Sequence, residues 1–94
     1  MTGTTRSSEG LDVRRRKLLF RSWHRGMREM DLIFGRFADA TIEELSGADL
    51  TEFERLMDLP DPDLLAWFIG ETGVPAGYDT PLFRRLRDFQ QAGT

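Results

Sequence analysis

Large apolar side chains recur along this chain at spacings of three and four: Met27, Met30, Phe34, Phe37 and Ala38, then Leu50, Phe53, Leu56 and Met57, then Leu82, Phe83, Leu86 and Phe89. A helix with about 3.6 residues per turn gathers such positions onto one face, whereas a strand would scatter them across two. No strand-like alternation competes, and no segment repeats. The spacing therefore predicts an all-α fold, a compact five-helix bundle forming a single small domain. With 94 residues there is room for one modest core and no second domain.

Punctuation divides the pattern. Residues 1–10, MTGTTRSSEG, are small and polar and predict a flexible tail. A first helix is expected from Leu11 to about His24, with Leu19, Phe20 and Trp23 on its apolar face and Gly26 as a left-handed cap beyond it. A second runs from about Met27 into the low forties. Gly35 weakens it by up to about 1 kcal/mol unless a neighbouring helix comes close there. Ser46 with Asp49, or Thr51 with Glu54, supplies the start of a third helix, which stops before Pro60. Asp61 is expected to cap a fourth with Pro62 at its first position, and Trp67 and Phe68 to bury large areas in the core. Gly70–Asp79 reads as a loop, and Thr80–Pro81 opens a fifth helix. The helical domain then spans residues 11–91, and residues 92–94 fray.

Composition removes several chemistries. The absence of cysteine excludes a disulfide framework, a thiol nucleophile and a cysteine zinc site, and suits a reducing compartment. A single histidine excludes a multi-histidine metal centre within the chain. No apolar run approaches the roughly 20 residues that cross a bilayer, so no membrane insertion is expected. The Arg, Ser and Thr of the first 21 residues resemble a transit peptide in composition, but Glu9 and Asp12 interrupt them, and a tail followed by a helix is the simpler reading.

Candidate catalytic groups have plainer explanations. His24 lies between Trp23 and Arg25 with nothing to orient it as a triad would, and the pairs Glu43/Glu44 and Asp61/Asp63 read as solvated faces and caps. No phosphate loop, dinucleotide fingerprint or metal-spaced cluster is present, so neither a catalytic nor a metal-ligating residue is assigned. The net charge of -3 conceals a cationic stretch of Arg14, Arg15, Arg16, Lys17, Arg21, Arg25 and Arg28. The run Arg14–Lys17 could neutralise phosphates, which makes a small helical nucleic-acid-binding protein the alternative reading. The acidic remainder and the lack of a base-reading helix favour a solvated cationic face instead.

The segment HRGMREMD, His24 to Asp31, concentrates the remaining signal. Arg25 falls near the carbonyl end of the first helix and Glu29 at the positive N-terminus of the second, with Gly26 between them. The pattern RGxxE formed by Arg25, Gly26 and Glu29, followed by LSGADLTEFERLMDLPDPDLLAWFIG, resembles the SdhE family of succinate dehydrogenase assembly factors over roughly Val13 to Phe89. His24 stands where many relatives carry arginine.

The resemblance implies a non-catalytic five-helix protein that binds the flavoprotein subunit of succinate dehydrogenase, and often that of fumarate reductase. It promotes covalent attachment of FAD to a histidine of that partner without holding FAD stably itself. Arg25, Gly26 and Glu29 become the centre of a docking surface, with His24, Met27, Arg28 and Asp31 at its rim. Arginine supplies a planar multi-donor head, glycine admits a close backbone, and glutamate accepts donors. A monomer in the bacterial cytoplasm, without nucleic acid, completes the expectation, since mitochondrial relatives usually carry a longer basic leader.

Overall fold

The computed structural model describes residues 9–92, so the expected tail lies outside the described residues except for Glu9 and Gly10. Five helices follow: α1 (Val13–Ser22), α2 (Arg28–Thr41), α3 (Gly47–Met57), α4 (Asp61–Phe68) and α5 (Pro81–Ala92), with a 3-10 turn at Ala76–Tyr78 before the last. No strand occurs among the described residues, and the bundle is the expected all-α fold. Helix α2 is the axis of the bundle, packed by α1, α4 and α5, while α3 closes against α1 and α5.

Why α2 takes the centre follows from its stripe. Met30, Phe34, Phe37 and Ala38 are fully buried, and Ile42 and Leu45 prolong the same apolar surface. Phe53 of α3 lies 5.8 Å from the Phe34 ring and 5.7 Å from the Phe37 ring, and Phe68 of α4 stacks on Phe83 of α5 at 5.1 Å. Offset and edge contacts of this kind suit aromatic quadrupoles. Trp67 is only half-buried, covered by Tyr78 at 5.7 Å, so Phe68 rather than Trp67 anchors α4 in the core.

Gly35 is accounted for by a close approach. A Cβ built there would lie 2.3 Å from Trp23 Cδ2, because the indole lies flat on this part of α2 and donates through Nε1 to Asp39 Oδ1 at 3.1 Å. The caps at Ser46 and Thr80 form as the sequence predicts: Ser46 and Asp49 make a reciprocal capping box, and Thr80 Oγ1 accepts from the Phe83 amide. Thr51 does not open a helix; its hydroxyl donates back to the Gly47 carbonyl within α3.

Three local expectations are corrected. Phe20 is 62% exposed, and Leu18 joins Leu19 and Trp23 in the core instead. Each residue turns the helix by about 100°, so Phe20 swings off the buried face that Leu19 begins. Gly26 is not left-handed; Gly10 and Gly70 are the described glycines with positive φ. The left-handed cap is built at Gly70 after α4, where the Glu71 amide reaches the Ala66 carbonyl at 2.8 Å and the Gly70 amide that of Trp67. Asp61, finally, does not cap α4: Pro60 takes that place without a side-chain hydrogen bond, and the Asp61 carboxylate turns elsewhere.

The basic run of α1 is largely committed to the protein itself. Arg14 forms a two-pronged pair with Glu54 of α3 at 3.0 and 2.8 Å and donates to Thr51. Arg15 donates to the carbonyls of Ile42 and Leu45 beyond α2, and Arg16 to that of Leu11. The Arg14 guanidinium holds the Glu54 carboxyl below its ordinary value, and the pair correspondingly raises Arg14. A carboxyl lowered on folding contributes stability at neutral pH and loses it as pH falls through the carboxylate range. Glu54→Gln is therefore expected to flatten part of the loss of thermal stability between about pH 5 and pH 3. Melting curves followed by circular dichroism across that range check it; identical pH profiles for the two proteins would contradict it.

Candidate functional site

Between the end of α1 and the start of α2 the chain turns a corner over residues 23–27. Trp23 and His24 close α1 by donating to the Phe20 and Arg21 carbonyls. The next three amides, of Arg25, Gly26 and Met27, point inward, where a buried N–H must find an acceptor. Two aspartates supply it. Asp31 Oδ1, from the first turn of α2, accepts from the Arg25 amide at 2.5 Å, and Asp61 Oδ2, from α4, accepts from Gly26 and Met27 at 2.8 and 3.2 Å.

The other oxygen of Asp61 binds the Arg25 side chain, with Nε–Oδ1 at 2.7 Å. Both side chains are nearly buried, at 10% and 9% exposure. The guanidinium has further uses: its terminal nitrogens donate to the Met57 and Leu59 carbonyls at 2.7 and 2.9 Å, and its plane lies 5.5 Å from the Phe34 ring centre. Those carbonyls are the free acceptors at the last residue of α3 and just beyond it. Arg25 thus caps α3 rather than α1, and its fork ties together three elements: the corner, the end of α3 and the start of α4. Only arginine offers enough donors in one plane for this task.

The inward braces leave an outward edge. Gly26, Arg28 and Glu29 are exposed, and neither Arg28 nor Glu29 has a hydrogen bond or ion pair among the described residues. His24 is exposed as well, its ring stacked on Phe20 at 3.8 Å and its Nδ1 held 2.6 Å from the Phe20 carbonyl. Met27 and Asp31 are half-buried between brace and edge. A Cβ on Gly26 would meet Asp61 Oδ2 at 3.4 Å, an ordinary van der Waals distance, so what the glycine contributes here is an open surface. The sequence-predicted site therefore divides: Arg25 and Asp31 work inward, while His24, Gly26, Arg28 and Glu29 face out.

Sequence reasoning missed two residues of this region. Asp61 carries the brace, yet an aspartate before a proline looks like an ordinary cap. Phe20 extends the outward edge as an exposed aromatic, and its one-residue offset from Leu19 was the available signal. One member of each carboxylate pair considered for acid/base work is taken up in an ion pair, Asp61 with Arg25 and Glu44 with Arg85. Among the described residues no group of three metal-ligating side chains converges, and no helix is long and apolar enough to cross a membrane.

Comparison with known proteins matches the sequence of this chain to one family. A family model described as flavinator of succinate dehydrogenase matches residues 16–90, which include the corner and all of its braces. The FAD assembly factor SdhE of Acetobacter pasteurianus is 36% identical over 80 residues, covering 85% of this chain and 73% of that protein. The SdhE of Colwellia psychrerythraea is 41% identical over 70 residues, 74% of this chain and 76% of its own length. The mitochondrial succinate dehydrogenase assembly factor 2 of Dictyostelium discoideum is 37% identical over 73 residues, 78% of this chain but 52% of that protein, so the chain spans about half the length of this mitochondrial relative. No solved structure matches. With a model covering most of its length and relatives above a third identical, the chain belongs to the SdhE family, the flavinators of succinate dehydrogenase.

Proposed function

We propose that this protein binds the flavoprotein subunit of succinate dehydrogenase and promotes covalent attachment of FAD to a histidine of that subunit, contributing no catalytic group of its own. FAD becomes part of the partner and is not held by this chain. The fumarate reductase flavoprotein is a second client. One copy docks one flavoprotein through the edge formed by Gly26, Glu29, His24, Arg28 and the exposed side of Met27, and steadies its domains while the bond forms. The compartment proposed for this role is the bacterial cytoplasm, in keeping with the bacterial SdhE relatives.

The observation that carries the proposal is the way RGxxE is divided between brace and edge. Arg25 fixes the corner from inside, so that Glu29 is presented on a rigid element with its carboxylate unpaired. A preorganised charge costs little to order on binding, which favours its use in recognition. Glu29 accepts donors of the partner, and the neighbouring charge of Arg28 steers the encounter. The names of the relatives support the choice of client.

The test is genetic and direct. In a strain lacking the gene, covalent flavin on the succinate dehydrogenase flavoprotein is expected to fall sharply and to return with the wild-type gene. Glu29→Ala should restore about a tenth or less of it, the loss expected when 1.4 kcal/mol or more of binding is removed. Normal in-gel flavin fluorescence of the flavoprotein in the deletion strain would overturn the proposal.

A further inference from the structure

Glu29, the outward acceptor of the corner, also lines a groove of about 280 Å³ between α2, the end of α4 and the last turns of α5. The half-buried side chains of Leu32, Ile33, Leu65 and Phe89 line it too, together with Arg36. Ile69, just beyond α4, borders the groove and is 62% exposed. Gln90 Oε1, in the same lining, is shielded from solvent and has no hydrogen-bond partner. Apolar side chains left half-covered around a hollow, with an unmet acceptor among them, mark a surface of contact.

Size, charge and position describe what fits. Pockets that enclose a drug-sized ligand hold about 300–1,000 Å³, so this smaller hollow suits a side chain projecting from a convex surface. Glu29 and Arg36 are exposed, and neither has a hydrogen bond or ion pair among the described residues. Two turns of α2 separate them, about 10 Å along the axis. A segment that carries an apolar side chain between a cation and an anion is complementary to this face in one direction only, because reversal sets like charges together. Position then names the bearer of that segment. Glu29 belongs both to the docking edge and to the groove, so a protein seated on the edge reaches the groove without a break in contact.

We infer that the groove receives the flavoprotein itself: a surface segment inserts an apolar side chain among Leu32, Ile33 and Ile69, offers an N–H to Gln90, and sets a cation against Glu29 and an anion against Arg36. This second contact rests on the docking reading above and extends it along α2. One contact at the corner leaves the client free to pivot. Another about 10 Å away fixes its angle, and the unlike charges of Glu29 and Arg36 fix its direction.

Titration of the full chain with purified apo-flavoprotein subunit of succinate dehydrogenase, followed by fluorescence anisotropy of the labelled factor, tests this. Ile69→Ser removes an apolar contact and should weaken binding by about tenfold or more. Arg36→Glu sets like charges together and should weaken it by about tenfold or more, whereas Arg36→Lys keeps the charge and should bind close to wild type. Both positions are exposed, so the melting midpoints should match wild type. Wild-type affinity in Ile69→Ser or in Arg36→Glu, beside lost affinity in Glu29→Ala, overturns the groove contact and spares the edge, leaving the groove to some other occupant. Lost affinity in both groove variants beside wild-type affinity in Glu29→Ala refutes the edge alone. A wild-type chain with no measurable affinity for the flavoprotein overturns both.

Discussion

Asp61→Ala is expected to lower folding stability by about 3–5 kcal/mol, the cost of removing one partner from a buried ion pair. The carboxylate serves more than Arg25. Its loss strands a nearly buried guanidinium together with the amides of Gly26 and Met27, and an unmet buried polar group costs more than the bond it loses. For a domain of this size the change is a large share of a total of about 5–15 kcal/mol. Thermal unfolding followed by circular dichroism should show the midpoint falling by about 12 °C or more. Asp61→Asn keeps one acceptor and should fall between wild type and alanine. Replacing Arg25 and Asp61 together by Met and Leu should cost less than the sum of the two single losses, because no buried charge remains unpaired although the Gly26 and Met27 amides still lose their acceptor. A loss below about 1 kcal/mol for Asp61→Ala would place this pair among ordinary exposed ion pairs and dissolve the brace.

Gly35→Ala is expected to destabilise the protein even though alanine is the better helix former. The propensity gain is about 1 kcal/mol. Against it, the new methyl would lie 2.3, 2.4 and 2.7 Å from Trp23 Cδ2, Cε2 and Cε3, which are ring atoms of a buried indole and not the tip of a flexible chain. Trp23 must move, carrying the exit of α1 and its hydrogen bond to Asp39 with it. Overpacking of this kind costs about 1–3 kcal/mol, and larger side chains than alanine should cost more. Trp23→Phe makes room, so the double variant with Gly35→Ala should be more stable than additivity predicts. Urea unfolding of the four proteins of that cycle measures the coupling; strict additivity would mean that the close approach is absent. Because Trp23 also begins the corner, the variant should disturb the docking edge as well.

The helices were legible because their signals are local. Periodicity locates the stripes of α2, α3 and α5, and the capping residues Ser46 and Thr80 work within a single turn. Gly35 was legible conditionally, since a glycine in a helical stripe announces a close neighbour without naming it. The brace was not legible in that way. Arg25 and Asp61 lie 36 positions apart, and nothing near either residue distinguishes a side chain turned across the bundle from one that caps its own helix. The two glycines at helix ends show the same limit. Gly26 and Gly70 occupy similar punctuation, yet the left-handed cap forms at Gly70, because the amides after α1 are claimed by Asp31 and Asp61. Family resemblance pointed to the corner, and tertiary contacts divide its residues into those that hold and those that face the solvent.

That division makes a claim about mechanism: Arg25 acts through stability and Glu29 through contact. It is tested most directly by mixing purified apo-flavoprotein, FAD and the factor, then measuring covalent flavin formed per folded molecule of factor. Glu29→Ala should melt like wild type and lose about tenfold or more in yield. Arg25→Lys, which cannot span Asp61 and the Met57 and Leu59 carbonyls, should lose yield only in step with its lost folded fraction. Full flavin yield from a folded Glu29→Ala protein would contradict it.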